Sequence, residues 1–446
     1  MSENSGRKLE ASSMESLVQD VLERAKRLGA TAAEVEVSKS QGESISVRQG
    51  EVETLEFNQD SDLSLTVYVG KRKGNVSSTD YSSTAIDMLV EKAIAIARYT
   101  SEDPASGLPE EQDLAKVWPV PELFFPWEVP PQTMIEMAKV CEARALSTDR
   151  RITNSEGASI SRHQSQFMYA NSAGFMGGYP TSDYSMSCSV IAEDEQGMQR
   201  DYWYTAARNP DKLDTPESVG WKAAQRTVRR LGARKLSTQT LPVIFESPIA
   251  GSLIGHLVGA ASGSSLYRKT SFLQDQLGQV IAAPCFNLKE DPFLAEGWAS
   301  APFDNEGVKT HARNVVENGV LKGYFLGSYS ARKLGMKTTG NAGGAHNLSL
   351  QTTHHYNDLL KQMDRGLLIT ELMGHGVNGV TGDYSRGAFG FWVEDGIIQY
   401  PVEEFAIAGN LKEMYRQILG IGDDVYTLSS RLTGSILLGS MMIAGD

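Results

Sequence analysis

His256 lies in an apolar stretch spaced by glycine, Ser252-Leu253-Ile254-Gly255-His256-Leu257-Val258-Gly259-Ala260-Ala261-Ser262-Gly263. Zinc is held by Cys sulfur, His nitrogen or Asp/Glu oxygen. Gly255 and Ala260, on either side of His256, supply none of these atoms. A lone histidine on such a helix is expected to be hydrogen-bonded in the core or to face a cavity. His346, His354 and His355 are close in sequence, but adjacent histidines point apart on a regular element, and their region reads as an exposed loop. A metal site from His256, His346 or His375 with Asp383 stays open, although no spacing recommends it.

A second group of reactive side chains follows Gly382. Asp383, Tyr384, Ser385 and Arg386 place a carboxylate, a phenol, a hydroxyl and a guanidinium between glycines. Gly-rich loops with such groups often line binding sites; the plainer reading is an Asp383–Arg386 pair that shapes a turn. Gly374-His375-Gly376-Val377-Asn378-Gly379 matches the dinucleotide fingerprint, but a turn-rich stretch follows it instead of the required helix. It is a chance match. No Ser-His-Asp or Cys-His set can be nominated from spacing alone.

The elements that must position these residues fall into three regions: 1–120, 121–235 and 236–446. In the first, Ser12 and Glu15 predict a capping box for a helix with stripe Leu17, Val21, Leu22, Ala25, Leu28, stopped by Gly29. Alternating runs at 33–37, 44–48, 52–57 and 63–69 predict four antiparallel strands, with Gly50, Gly70 and Gly74 at the turns. A helix over 84–98 completes this region. A proline-rich crossing with Trp118 and Trp127 spans 104–131. Beyond it, helices over 133–145 and 215–231 enclose strands near 159–170, 185–193 and 198–206.

From Leu241 on, glycine is dense and regular helices are scarce. Strand-like pieces at 242–245, 314–316, 367–370 and 389–393, with turns at Asn318-Gly319 and Asp395-Gly396, predict a β-rich domain around one or two buried helices. Gly251, Gly255, Gly259 and Gly263 recur every four residues, which predicts a tightly packed helix face. The fold class expected is α+β: helix and antiparallel-sheet domains, then a Gly-rich, β-rich domain with a buried helix.

A net charge of -13 argues against a nucleic-acid surface. The basic spots Lys71-Arg72-Lys73 and Arg229, Arg230, Arg234, Lys235 read as solvated charges. Cys141, Cys188 and Cys285, odd in number and far apart in sequence, suit a reducing cytoplasm. The polar start carries no signal-peptide core, and the apolar stretches are too short to span a bilayer. The expectation is a soluble cytoplasmic protein.

The segment Ser252 to Gly263 resembles the helix that carries the zinc-binding His-Glu-x-x-x-His signature in the TldD/TldE (PmbA) peptidase family. Further blocks carry the resemblance over nearly the whole chain. They include Gly74-Asn75-Val76-Ser77-Ser78-Thr79-Asp80, Asn341-Ala342-Gly343-Gly344, Thr381-Gly382-Asp383-Tyr384-Ser385-Arg386-Gly387 and Ala408-Gly409-Asn410-Leu411. By these blocks the chain is identified as a member of the metal-free TldE (PmbA) branch. In the register that keeps Val258-Gly259, the first ligand position is Gly255, the glutamate position is His256 and the second ligand position is Ala260. The third ligand of the zinc-bearing branch, a cysteine before a glycine, corresponds to Thr433 before Gly434.

The resemblance implies a non-catalytic subunit without a cofactor of its own, paired in a heterodimer with a TldD-type metalloprotease chain that holds the zinc. The pair would cleave unfolded peptides, such as labile antitoxins and leader peptides of peptide antibiotics including microcins. His256, His375, Asp383, Tyr384, Ser385 and Arg386 would line the chamber. This chain would supply walls and an edge strand for the substrate. Two other readings stay open: a hydrolase in its own right that uses His256, His375 or the 383–386 loop, and a homodimer that only binds peptides.

Overall fold

Period-two alternation over residues 32–69 folds as one long hairpin, not as four strands. The computed structural model describes residues 3–120 and 122–445, with side chains from Ser13 onward. Helix α1 (Glu3–Arg27) runs through Ser12, so the Ser12–Glu15 pair does not open it; it stops at Gly29 (φ +99°) as expected. Strands β1 (Ala32–Arg48) and β2 (Glu51–Val69) turn at Gln49-Gly50, both at positive φ. β3 (Arg72–Ser78) pairs with the last part of β2. Gly74 lies inside β3 and not at a turn. A Cβ there would stand 2.1 Å from the Ala93 carbonyl oxygen of helix α2 (Ser83–Tyr99), so only glycine admits this approach. Ser82 Oγ caps α2 by accepting from the Ala85 N–H at 3.3 Å.

The described residues of 100–130 cross the molecule without an α-helix or strand. The stretch is anchored by its aromatics. Trp118 packs on Phe175 and Phe303 at centroid distances of 5.4 and 5.1 Å, and Trp127 meets the edge of Tyr184 at 5.3 Å. Helix α3 (Pro131–Thr148), strands β4 (Ile152–Asn171), β5 (Met176–Gly177), β6 (Pro180–Asp194) and β7 (Gly197–Ala207), and helix α4 (Pro216–Val228) follow. The sheet order is β3-β2-β1-β4-β6-β7, with β5 beside β4. β1 pairs with β4 from Glu34–Asn171 to Val47–Ala158, so one sheet runs through residues 32–207.

Odd-numbered residues of β1 point to one face. Val35 and Val37 share a core with α1 and α2, and Ile45 and Val47 share one with α3 and α4. All four are fully buried, each worth roughly 1.5–3 kcal/mol against exposure. Cys141 and Cys188 are neighbours in the second core, where contact with Cys188 and burial push the Cys141 thiol up.

The C-terminal region opens with β8 (Gln239–Phe245), α5 (Ser247–Ala260) and α6 (Gly263–Tyr267). Short strands β9 (Leu288–Asp291), β10 (Arg313–Glu317), β11 (Val320–Leu321) and β12 (Asn347–Leu350) follow, with α7 (Ser328–Leu334) before the last. After α8 (Tyr356–Met363) come β13 (Gly366–Val377), β14 (Asp383–Glu394) and β15 (Ile397–Asn410), then α9 (Leu411–Arg416), β16 (Ile418–Ile421), β17 (Arg431–Leu432) and β18 (Ile436–Ala444). One sheet has the order β15-β14-β13-β8-β18-β16 and closes on itself through β15–β18 pairing; the other runs β11-β10-β9-β12-β17. The architecture is α+β. Both predicted hairpin turns form, with positive φ at Asn318-Gly319 and Asp395-Gly396.

The arginines at the end of α4 are paired with acidic groups instead of standing free in solvent. Arg229 pairs with Glu246 at 3.4 Å, and Arg230 pairs with Glu371 at 2.6 Å while lying over Phe389. They tie α4 to the C-terminal region.

Candidate functional site

Helix α5 has one wet face and one dry face. Ala250, Leu253, Ile254, Leu257 and Ala260 enter the C-terminal core, and Tyr415 Oη donates to the Leu253 carbonyl at 2.8 Å. Gly251, Gly255 and Gly259 lie on the other side: Arg431 of β17 packs on Gly251 and Gly255, its carbonyl oxygen 3.5 Å from a Cβ on Gly251, and the face opens at Gly259. A Cβ on Gly259 would meet nothing within 4 Å, and one on Gly255 would lie 2.9 Å from Arg431 Nη1. Gly263 falls beyond the end of α5, against Ser330.

That open face floors a cleft of about 360 Å³, lined by Gly255, His256, Gly259, His375, Arg386 and Leu411 among others. Three connections hold its walls. Ser271 Oγ donates to the Ala260 carbonyl at 2.5 Å, the Phe272 N–H donates to the Gly379 carbonyl at 3.0 Å, and the Leu411 N–H donates to the Gly382 carbonyl at 2.7 Å.

Residues 383–386 form the start of β14, not a loop. Strand alternation therefore divides them. Tyr384 and Arg386 turn inward; Asp383 and Ser385 are exposed and lie outside the cleft. The Asp383–Arg386 pair does not form. Asp383 accepts from Thr381 Oγ1 at 2.6 Å and from Asn410 Nδ2 at 3.0 Å, while Arg386 Nε donates to the Met373 carbonyl at 3.0 Å. The glycines of 374–379 end β13 and enter a hairpin, with no helix behind them.

Within the cleft, His256 stacks edge-on to Tyr384 at 5.9 Å. His256 Nε2 and Tyr384 Oη are buried and have no hydrogen-bond partner among the described residues. Burial, reinforced by the charges of Arg386 and Arg431, holds the His256 imidazole below its ordinary value. Burial pushes the Tyr384 phenol up to about 12, with Arg386 opposing. His375 is exposed at the rim.

The remaining candidates lie elsewhere. Thr433 is fully buried outside the cleft, donating its hydroxyl to the Gly434 carbonyl at 2.9 Å. His346, expected in an exposed loop, is buried beside Glu290 at 2.9 Å because it immediately precedes β12 at the sheet interior. His355 is exposed and pairs with Asp423 at 2.6 Å.

The donor set does not fit a zinc ion. The positions Gly255 and Ala260 offer no ligand atom, and the cleft side of α5 faces Arg431 and Arg386, whose charges repel a metal cation. Among the described residues no group of three or more His, Cys, Asp or Glu side chains could hold a metal. Arg431 is the residue that sequence reasoning missed. It reaches α5 only because β17 pairs in parallel with β12, a long-range contact with no local signal.

A mixed α+β protein, with one sheet running through residues 32–207 and a glycine-faced helix in the region beyond, is what the fold and cleft define. Three family models match the chain. The PmbA/TldA metallopeptidase domain 1 matches residues 33–97, the central domain 125–231 and the C-terminal domain 238–445. The chain is 51% identical over 415 residues to the Metalloprotease PmbA of Escherichia coli O157:H7, covering 93% of this chain and 92% of that one. It is 46% identical over 448 residues to the Metalloprotease PmbA homolog of Haemophilus influenzae, covering 100% and 99%. A Bacteroides thetaiotaomicron crystal structure, described as a candidate modulator of DNA gyrase, superposes with a TM-score of 0.92 at 27% identity, covering 97% and 99%. TldE from Thermococcus kodakarensis shares the fold, with a TM-score of 0.85 at 22% identity over 96% and 100% of the chains. The chain belongs to the PmbA/TldD metallopeptidase family.

Proposed function

We propose that this chain is the non-catalytic subunit of a two-chain cytoplasmic metalloprotease, in which a TldD-type partner holds the zinc. One observation carries the reading: the ligand positions on α5 hold Gly255 and Ala260, beside a cleft lined by Arg386 and with Arg431 against Gly255. Catalysis by zinc needs protein ligands and an open position for water, and fold membership alone does not supply them. The metalloprotease name belongs to the relatives.

In this reading the chain encloses the chamber and guides unfolded peptides, with antitoxins and leader peptides of the microcin kind as the expected substrates. The far part of β2, residues 51–62, pairs only with β1 among the described residues, leaving an edge to which an extended peptide can add. The acidic balance speaks against nucleic acid as a substrate, and no described helix is long and apolar enough to cross a membrane.

The test is reconstitution. The chain alone should neither cleave an unstructured peptide nor retain zinc. Mixed with a TldD-type chain, it should form a stable complex and raise cleavage at least tenfold. Cleavage by the chain alone, abolished by His256→Gln, would favour an independent hydrolase; a homodimer indifferent to the partner would favour a peptide-binding protein.

A further inference from the structure

Arg386 lines the cleft and Arg431 borders it at Gly255, and the two have an unusual electrostatic setting. Arg386 spends its Nε on the Met373 carbonyl, and neither it nor Arg431 has a carboxylate partner among the described residues. No Asp or Glu lines the cleft. In a chain with 55 acidic and 42 basic residues, two unpaired guanidiniums beside one helix are not what composition would deliver. Arg386 is in the wall and Arg431 Nη1 lies 2.9 Å from where a Cβ of the lining residue Gly255 would stand, so both guanidiniums border the same turn of α5.

We propose that this cleft seats the carboxylate of a peptide chain end, held by Arg386 and Arg431. The inference rests on the chamber reading above and names the ligand that the degenerate site takes. Guanidinium forks match carboxylate geometry and bind it through paired N–H donors. The rest of the lining suits an amino-acid residue more than a bare inorganic anion. Phe272, Val377 and Leu411 give an apolar wall for a side chain, and Ser265 and Thr270 give hydroxyls for the last peptide group. A volume of about 360 Å³ accommodates a short chain end and is at the small limit of ligand sites. A substrate or product anchored by its C-terminus would then be presented from this wall toward the partner.

The probe is N-acetyl-alanyl-leucine, titrated into the intact chain by calorimetry beside its C-terminal amide and inorganic phosphate. The free acid is expected to bind at least tenfold tighter than the amide and than phosphate. Arg386→Gln and Arg431→Gln should each weaken the acid about tenfold without changing the amide. Arg431 is exposed, so its variant keeps the test valid should the other fail to fold. Equal binding of acid and amide, or an acid affinity untouched by Arg431→Gln, overturns the proposal. Phosphate binding as tight as the acid also overturns it, since it reduces the cleft to a general anion site. The assay needs no partner, so its failure leaves the reconstitution result standing, and the reverse holds too.

Discussion

Two clusters of the C-terminal region pair histidine with arginine, and they have opposite bookkeeping of charge. Around Glu290 everything is matched. Its carboxylate, 1% exposed, accepts from Arg313 Nε at 2.7 Å, Asn341 Nδ2 at 2.7 Å and both the N–H and Nδ1 of His346 at 2.9 Å. At the α5 cleft, Arg386 lines the wall and Arg431 lies against Gly255, with no Asp or Glu in the lining among the described residues. Buried polar groups that stabilise a fold are satisfied. Groups left unsatisfied at an open cleft are available to a ligand. The same residue types therefore mark structure in one place and a site in the other.

The largest effect is expected where the matching is complete. Glu290→Ala leaves Arg313 and Asn341 without their acceptor, and breaking a buried pair in this way costs about 3–5 kcal/mol; urea denaturation reads the loss. A cost near zero would remove the contrast between the clusters.

The glycine face gives the next effect. Gly259→Ala has open space for its methyl and should stabilise the chain by about 0.5–1 kcal/mol through helix propensity. Gly74→Ala, which would drive a Cβ into the Ala93 carbonyl, should instead destabilise it. A destabilising Gly259→Ala would restore the packed-helix reading. At the cleft rim, Arg431→Gln should shift stability by no more than about 0.5 kcal/mol, because no ion pair is lost.

The two clusters also separate by pH. Burial alone would raise the Glu290 carboxyl, but the His346 hydrogen bond and the Arg313 charge hold it at about 2. A depressed carboxylate contributes stability above its unfolded value of 4.5 and loses it as pH falls toward about 2. His256 is depressed below 6.5, so the unfolded chain takes up its proton first, and stability drops as pH falls below that value. Difference melting curves of wild type against His256→Gln should diverge below pH 6.5, and those against Glu290→Gln should converge only below 4.5. Coincident His256 curves from pH 7 to 5 would place that imidazole in ordinary solvent.

Local chemistry made much of the fold legible. Ser82 before a helical pattern, Asn318-Gly319, Asp395-Gly396 and the apolar run of α5 each state their element within a few residues. The long hairpin was not legible, because Ser38-Lys39-Ser40-Gln41-Gly42 is polar and becomes strand only between β2 and β4. The site divided in the same way. His256 and its non-coordinating neighbours can be read on one helix. Arg431 and the burial of His346 depend on pairing across long sequence separations, which no window of sequence contains.

The account turns on whether α5 carries a catalytic metal in this chain. Zinc content of the purified protein after exposure to excess zinc and desalting tests it most directly. No zinc above the buffer blank, with stoichiometric zinc only in the complex with a TldD-type chain, is the predicted result. One zinc per chain in the protein alone, removed by a chelator together with peptide cleavage, would contradict it.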